Sequence, residues 1–334
     1  MGIIYINSSL ANERGISEDK TISPFHYWGY KPKKDDLVLT GKRDRYSIKL
    51  RYLLKGVDLQ IVLSVFVRLL KGDRIIYLIS SPDLMLAIPA IKTLFPKAKI
   101  MTWVWTSHSI EQYPREFKLC DRLLCLTEDA FAKVSQIGLE SMSEFKLLGA
   151  DPDYYFRPVK ESKYDVLVMG RSLRDSDVIV QALAQTEIEK SRIATTQISA
   201  KWLRLNPDDS SESLTFLDVD THQSLVTLLN QTLVVWIPLL PDIKDPAGYT
   251  NLVEALLAGT SVVISDSNLI PQEIMALPGV YVCQVSSPKS LLEKTQTALE
   301  DYRQNPNYRA EIREAASRLL DGDRLRQTIH EFLS

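Results

Sequence analysis

For 334 residues this chain has little cysteine, histidine or glycine: three Cys, four His and thirteen Gly. Cys120, Cys125 and Cys283 supply neither an even disulfide framework nor a metal-spaced cluster, so reduced thiols in a cytosol are expected. His26, His108, His222 and His330 are too scattered to suggest a metal site. No apolar run reaches the roughly 18 residues of a membrane-spanning helix; Ile61–Leu70 is broken by Ser64 and Arg68. No basic leader accompanies the strand-like start Met1–Ser8, so no secretory signal is expected. Internal repeats and low-complexity segments are lacking too. With a net charge of −2, a near-neutral pI and no recognition motif, the chain does not read as a nucleic-acid binder.

The charge is present but uneven. Residues 1–158 hold 23 Lys and Arg against 18 Asp and Glu, and the remainder holds 17 against 24. Much of the basic excess lies in Lys31–Lys55, with nine basic and three acidic residues. That stretch reads as a solvated loop and helix face, or as a contact for anionic lipid headgroups at the inner face of a membrane. With 45% hydrophobic residues, the chain can bury two cores of ordinary size.

Short apolar runs alternate with amphipathic stretches, the pattern of parallel sheets covered by helices on both faces. In the first half, strands are expected at Ile3–Asn7, Leu37–Leu39, Ile75–Ile79, Ile100–Trp105, Leu123–Leu126 and Lys146–Leu148. Helices are expected at Val57–Leu70, Asp83–Leu94 and Glu128–Gln136. Asp151–Pro158, with two prolines, reads as a linker. Strands resume at Tyr164–Met169, Arg192–Ile198, Leu214–Leu217, Leu233–Ile237, Ser261–Ser265 and Val280–Cys283. Helices Ser176–Gln185, Gln223–Asn230, Tyr249–Ala258 and Pro288–Tyr302 alternate with them, and Tyr308–Leu320 and Asp323–Phe332 close the chain. Residues 1–158 and 159–316 are thus expected to form two doubly wound domains, with 317–334 a terminal helix that packs back on the first. Ligands bind at the strands' C-terminal ends in such folds.

The segment Asp245–Asp266 carries the most chemistry. It reads as a Gly-containing loop, a helix over Tyr249–Ala258, a stop at Gly259 and a buried strand. A loop that opens a helix presents free N–H groups and the positive end of the helix dipole, which suits phosphate. The amides of Gly248, Tyr249, Thr250 and Asn251 would serve. One turn on, Glu254 lies where a carboxylate could accept from sugar hydroxyls, or it is a solvated helix residue. A diphosphate beside a ribose describes a nucleotide-sugar.

The run from Glu254 to Glu273, EALLAGTSVVISDSNLIPQE, is similar to the C-terminal signature of family 4 retaining glycosyltransferases, and Ala247-Gly248-Tyr249-Thr250 resembles one variant of it. The first glutamate of the family's E-x7-E motif falls on Pro246 and is missing. Gly170-Arg-Ser-Leu-Arg-Asp-Ser-Asp177 is either a turn with a helix N-terminus capped by Asp175 or Ser176, or a diphosphate loop with Arg171 and Arg174. The family's usual lysine falls on Ser176, which leaves Arg174 as the candidate for its work. His108, after the strand Ile100–Trp105, matches the place of a family histidine that faces the donor sugar. Phe216–Val219 lies where the family packs its base. Arg122–Ala130 and Lys146–Pro158 resemble the segments that end the family's first domain. Phe25, Tyr27 and Trp28 read as a satellite core or as stacking platforms.

The resemblance implies a GT-B fold, two Rossmann-like domains facing each other across a cleft. It also implies a cytoplasmic enzyme that moves a sugar from a nucleotide-diphosphate donor, UDP-sugar favoured, with retention and without metal or other cofactor. The acceptor is a glycan, a lipid-linked sugar or a small molecule. His108, Arg171, Arg174 and Glu254 would act in catalysis; Gly170, Gly248, Tyr249, Thr250, Asn251, Phe216 and Val219 would hold the donor. Pro246 and Ser176 leave open a catalytically silent scaffold that binds a nucleotide-sugar or partners an active transferase.

Overall fold

A computed structural model describes residues 2–7, 28–30, 32–39, 58–79, 84–159, 161–170, 173–185, 192–204, 214–219 and 221–333. The chain divides into two units, Met1–Leu147 with Asp323–Ser334, and Leu148–Gly322.

The first unit runs β1 (Ile3–Ile6), β2 (Leu37–Leu39), α1 (Leu59–Leu70), β3 (Ile75–Leu78), α2 (Ile88–Leu94, entered through a 3-10 turn), β4 (Lys99–Val104), α3 (Ser107–Gln112), α4 (Pro114–Phe117), β5 (Arg122–Cys125), α5 (Glu128–Gln136) and β6 (Ser143–Phe145). The strands are parallel in the order β2-β1-β3-β4-β5-β6. Period-two alternation sends Ile4, Ile6, Ile76, Leu78 and Ile100 to one face, where Ile61, Val65, Leu69, Ile88 and Ile91 cover them. The spacing of Ile61, Val65 and Leu69 makes one stripe of α1, and Asp58 caps the helix by accepting from the Gln60 and Ile61 amides.

An aromatic group that includes Tyr5, Tyr77 and Trp103 belongs to the opposite face. Trp28 stacks on Trp105 at 5.4 Å and meets Trp103 edge-on, while Tyr77 donates to the Trp28 carbonyl at 2.6 Å. Trp28 and Tyr30 are therefore core residues; Phe25 and Tyr27 lie outside the described residues. So do Lys31 and residues 40–57, most of the basic stretch.

The second unit runs α6 (Pro152–Tyr155), β7 (Tyr164–Val168), α7 (Ser176–Leu183), β8 (Ile193–Thr196), α8 (Gln197–Leu203), β9 (Leu214–Leu217), α9 (His222–Asn230), β10 (Thr232–Ile237), α10 (Tyr249–Leu257), β11 (Ser261–Ser265), α11 (Gln272–Met275), β12 (Val280–Cys283), α12 (Pro288–Gln304) and α13 (Tyr308–Leu320). Its parallel order is β12-β11-β10-β7-β8-β9. Counted from the unit's own first strand this is 3-2-1-4-5-6, the doubly wound Rossmann order, whose switch point lies between β7 and β10. The last helix, α14 (Gly322–Leu333), belongs to the first unit from Asp323 on. Its Leu325 and Ile329 press so closely on Gly29 (φ +67°) that a Cβ there would come within 2.6 Å of Ile329.

Three expectations need correction. Lys146–Leu148 is not a strand: β6 lies three residues earlier, and the Lys146 amide adds one last bond to the Cys125 carbonyl. The apolar Leu147-Leu148 pair suggested a strand, but the Leu148 amide donates to the Tyr249 hydroxyl at 3.2 Å. Arg192–Ile198 is a strand only to Thr196, whose hydroxyl accepts from the Ser199 amide and starts α8. Asp151–Pro158 contains a helical turn, capped by the Asp151 carboxylate on the Asp153 amide, and its contacts lie within the second unit.

Candidate functional site

The switch point of the second sheet gathers the charged residues. Beyond β7 the chain passes through Gly170 (φ +135°) and returns at Arg174, which bridges antiparallel to Leu239 just past β10. The Asp175 amide donates to Pro238 at 3.0 Å and Leu240 to Leu173 at 3.1 Å, so the two loops are stitched together. Asp175, not Ser176, caps α7, accepting from the Val178 amide at 3.1 Å.

Arg174 is 7% exposed, and burial pushes its pKa down from 12.5 to about 10. Its guanidinium lies between two glycines. A Cβ on Gly170 would collide with it, and one on Gly248 would stand 3.5 Å from both terminal nitrogens and 2.6 Å from Ile237. Gly248 also has φ +85°, so glycine is required there twice over. It is the N-cap of α10 and brings no capping side chain. The Tyr249 amide donates to the Pro246 carbonyl at 3.4 Å and Leu252 to Gly248 at 2.8 Å, which leaves the Thr250 and Asn251 amides in the turn where helices carry unsatisfied donors.

Asn251 and Glu254 sit on α10 one turn apart. Arg174 Nη2 donates to Asn251 Oδ1 at 2.9 Å, and Asn251 Nδ2 donates to Glu254 Oε2 at 3.2 Å. The opposite charges at its two ends fix the orientation of this amide. Glu254 is 4% exposed, not a solvated helix residue. Its Oε1 accepts from His222 Nε2 at 2.8 Å and from the Tyr155 hydroxyl at 3.4 Å. His222 stacks on Tyr154 at 5.5 Å and its Nδ1 reaches the Tyr154 hydroxyl at 3.2 Å. A continuous polar chain thus joins a buried cation, an amide, a carboxylate, an imidazole and a phenol.

The expected site residues divide clearly. Gly170, Arg174, Gly248, Asn251 and Glu254 come together. Thr250 is half-buried in the first turn of α10. Tyr249 turns its ring inward, where burial raises its pKa and its hydroxyl serves the Leu148 amide; only its backbone belongs to the helix start. Phe216, half-buried on the edge strand β9, and Val219 just beyond it are not part of the chain of contacts. Arg171 lies outside the described residues. His108 is in the first unit, 47% exposed on α3, with Glu111 at 3.6 Å and Gln112 at 3.1 Å.

His222, Tyr154 and Tyr155 were missed from the sequence. A signal for His222 exists: it opens the helix after β9, and in a doubly wound domain every such opening faces the strands' C-terminal ends. A cavity of about 1270 Å³ lies elsewhere in this unit, around Asp165, Arg192, Leu233 and Arg309. Its sheet residues stand at the strands' N-terminal ends, away from the switch point. Among the described residues no group of three or more His, Cys, Asp or Glu is placed to hold a metal, and no helix is long and apolar enough to cross a membrane.

No protein-family model and no curated protein matches the sequence. Solved structures do. The chain is similar to Anabaena HepE in complex with UDP, with TM-score 0.69 and 16% identity over 100% of this chain and 99% of that one. The fold is GT-B. Two further GT-B relatives by shape are sucrose-phosphate synthase from Thermosynechococcus elongatus (TM-score 0.66, 12% identity, 89% and 82% covered) and a glycosyltransferase from Rickettsia africae (0.62, 11%, 99% and 97%). At these identities the likeness shows the GT-B architecture of two Rossmann-like domains.

Proposed function

We propose that the second unit binds the diphosphate and ribose of a nucleotide-sugar and that the chain transfers the sugar to an acceptor taken by the first. The observation that carries this reading is the buried chain Arg174–Asn251–Glu254 at the switch point, beside a helix start without a side-chain cap. Arg174 and the Gly248–Asn251 amides neutralise the leaving diphosphate, and Glu254 receives the ribose hydroxyls. In transfer, the bond from the sugar's anomeric carbon to the phosphate oxygen breaks as the acceptor oxygen bonds to that carbon. The acceptor proton passes to the phosphate oxygen, with retention and with the diphosphate's charge held by these groups instead of a metal. HepE structures hold UDP and UDP-glucose, which favours UDP as the nucleotide. His108 is proposed to meet the donor sugar, and Arg171 to assist Arg174.

Thermal shift with UDP, GDP and TDP tests the binding, since ligand at about a hundred times its Kd adds roughly 2.7 kcal/mol. No shift with any of the three would oppose the reading. A second reading, a silent scaffold, is favoured by Pro246, buried where the family's glutamate would stand, and by Ser176 in the lysine's place. Hydrolysis of a panel of nucleotide-sugars separates the two: a scaffold binds without turnover.

A further inference from the structure

We propose that the α1–α2 face of the first unit docks on an anionic lipid bilayer. The proposal is independent of the donor site. Three strips run along α1: Ile61, Val65 and Leu69 face the sheet, while Leu59, Leu63, Val67 and Leu70 point outward with exposures of 45%, 66%, 49% and 76%. Only a narrow polar strip, Gln60, Ser64, Arg68 and Lys71, separates them on one side. A helix that only covers a core needs one apolar stripe and a polar back. Here the back is apolar as well.

α2 lies alongside, with Phe66 of α1 packed edge-on against Phe95 at 5.7 Å. Leu86, Pro89, Ala90, Thr93 and Leu94 are exposed on this segment, the two leucines by 42% and 63%. The Ser64 and Thr93 hydroxyls each donate to their own helix, to Gln60 O and Pro89 O at 2.8 Å, so both face hydroxyls have a partner within the helix. By contrast, α5 exposes Glu128, Asp129 and Gln136.

The charge around the patch is mainly basic. Residues 59–70 and 84–100 contain no Asp or Glu. Lys71, Lys97 and Lys99 are exposed on these segments, and Lys33 and Lys34 are exposed on the loop that Arg68 holds through the Asp35 carbonyl at 2.7 Å. Of the nearby carboxylates, Asp58 caps α1, Asp73 pairs with Arg68 and Asp36 bonds to Tyr30 and the Ile3 amide. Asp35 is exposed, and Asp121, exposed as well, pairs with Lys92 of α2 at 2.6 Å. An apolar surface fringed by lysines fits the interface of a bilayer with anionic headgroups, where apolar burial and basic attraction add. A second copy fits less well, because a two-fold contact sets the same lysines against each other.

Co-sedimentation of the full chain tests this, using vesicles of phosphatidylcholine alone and of phosphatidylcholine with about 30% phosphatidylglycerol. Binding is expected to the anionic vesicles and to weaken with salt. Leu63→Glu with Leu70→Glu should cut it roughly tenfold or more, and Lys97→Glu with Lys99→Glu by about fivefold per residue. Because these side chains are exposed, the unfolding temperature should stay within a few degrees of wild type; if the glutamates disturb folding, Leu63→Ser with Leu70→Ser replaces them. Wild-type chain that ignores anionic vesicles, or binding that survives both double variants, overturns the proposal. So does a dimer in sedimentation analysis that the leucine substitutions dissolve.

Discussion

The Arg174 guanidinium donates to Asn251 Oδ1 at 2.9 Å and so fixes which end of that amide faces Glu254. One neutral side chain thereby links the cation suited to a diphosphate with the carboxylate suited to a ribose. Replacing it with an apolar group of similar size strips one hydrogen bond from each of two buried charges. Asn251→Leu is expected to cost about 2–4 kcal/mol in urea unfolding, since bonds to charged groups contribute about 1.5–3 kcal/mol each. A loss below about 0.5 kcal/mol would mean that the amide links nothing of consequence.

Gly248 joins a left-handed backbone to a tight approach by Ile237. In Gly248→Ala the added methyl strains the backbone and pushes on Ile237, 2.6 Å away, at a site that also opens α10. Destabilisation of about 1–3 kcal/mol is expected, together with weaker UDP binding. Unchanged stability and affinity would show that the loop accommodates a side chain.

Much of the fold was legible in the sequence, for a physical reason. Ile75–Leu78, Ser261–Ser265 and Val280–Cys283 are short apolar or β-branched runs between turn residues, and each forms a strand of a parallel sheet. The errors came where local pattern and tertiary pairing disagree. Leu147-Leu148 has strand composition, yet the edge strand ends at Phe145. Thr195-Thr196 reads as strand, yet the second threonine also caps a helix. In the site, Gly248, Asn251 and Glu254 were readable because they lie in one continuous segment. His222 and Tyr155 were not, being 32 and 99 residues distant in sequence from the carboxylate they serve.

His222 is the residue that the sequence undervalued. His222→Phe keeps an aromatic ring against Tyr154 but removes the N–H that Glu254 accepts at 2.8 Å. A loss of about 1–3 kcal/mol in unfolding free energy is expected, the cost of leaving a buried acceptor short of a partner. If the variant is as stable as wild type, Tyr155 and Asn251 suffice to hold the carboxylate.

The alkaline limb of stability follows from buried thiols. Burial raises Cys283 from 9.0 to about 11 and Cys125 to about 12. Both are raised in the folded state, so their contribution is whole below pH 9 and is lost as pH climbs through 11 to 12. Raised tyrosines such as Tyr249 act in the same direction above pH 10. Arg174, depressed to about 10, acts oppositely, as do Arg309 and Lys146, which burial also lowers, but the raised thiols and tyrosines outnumber them. The unfolding midpoint should therefore fall from pH 9 to 12. At pH 8 the folded chain should leave Cys120, Cys125 and Cys283 unlabelled by a thiol reagent, and guanidinium should expose all three. Rapid labelling of the native chain would contradict their burial.

Whether Arg174 and its partners receive a nucleoside diphosphate is read from titration calorimetry with UDP. Wild type is to be compared with Arg174→Met, which keeps the bulk of the stem, and with Arg303→Ala, which lies in the distant cavity of the same unit. UDP binding is expected in wild type and Arg303→Ala, with at least about a tenfold loss in Arg174→Met, as for a lost charge-assisted contact. UDP affinity in folded Arg174→Met equal to wild type, or no UDP binding by wild type at all, would contradict that role for Arg174.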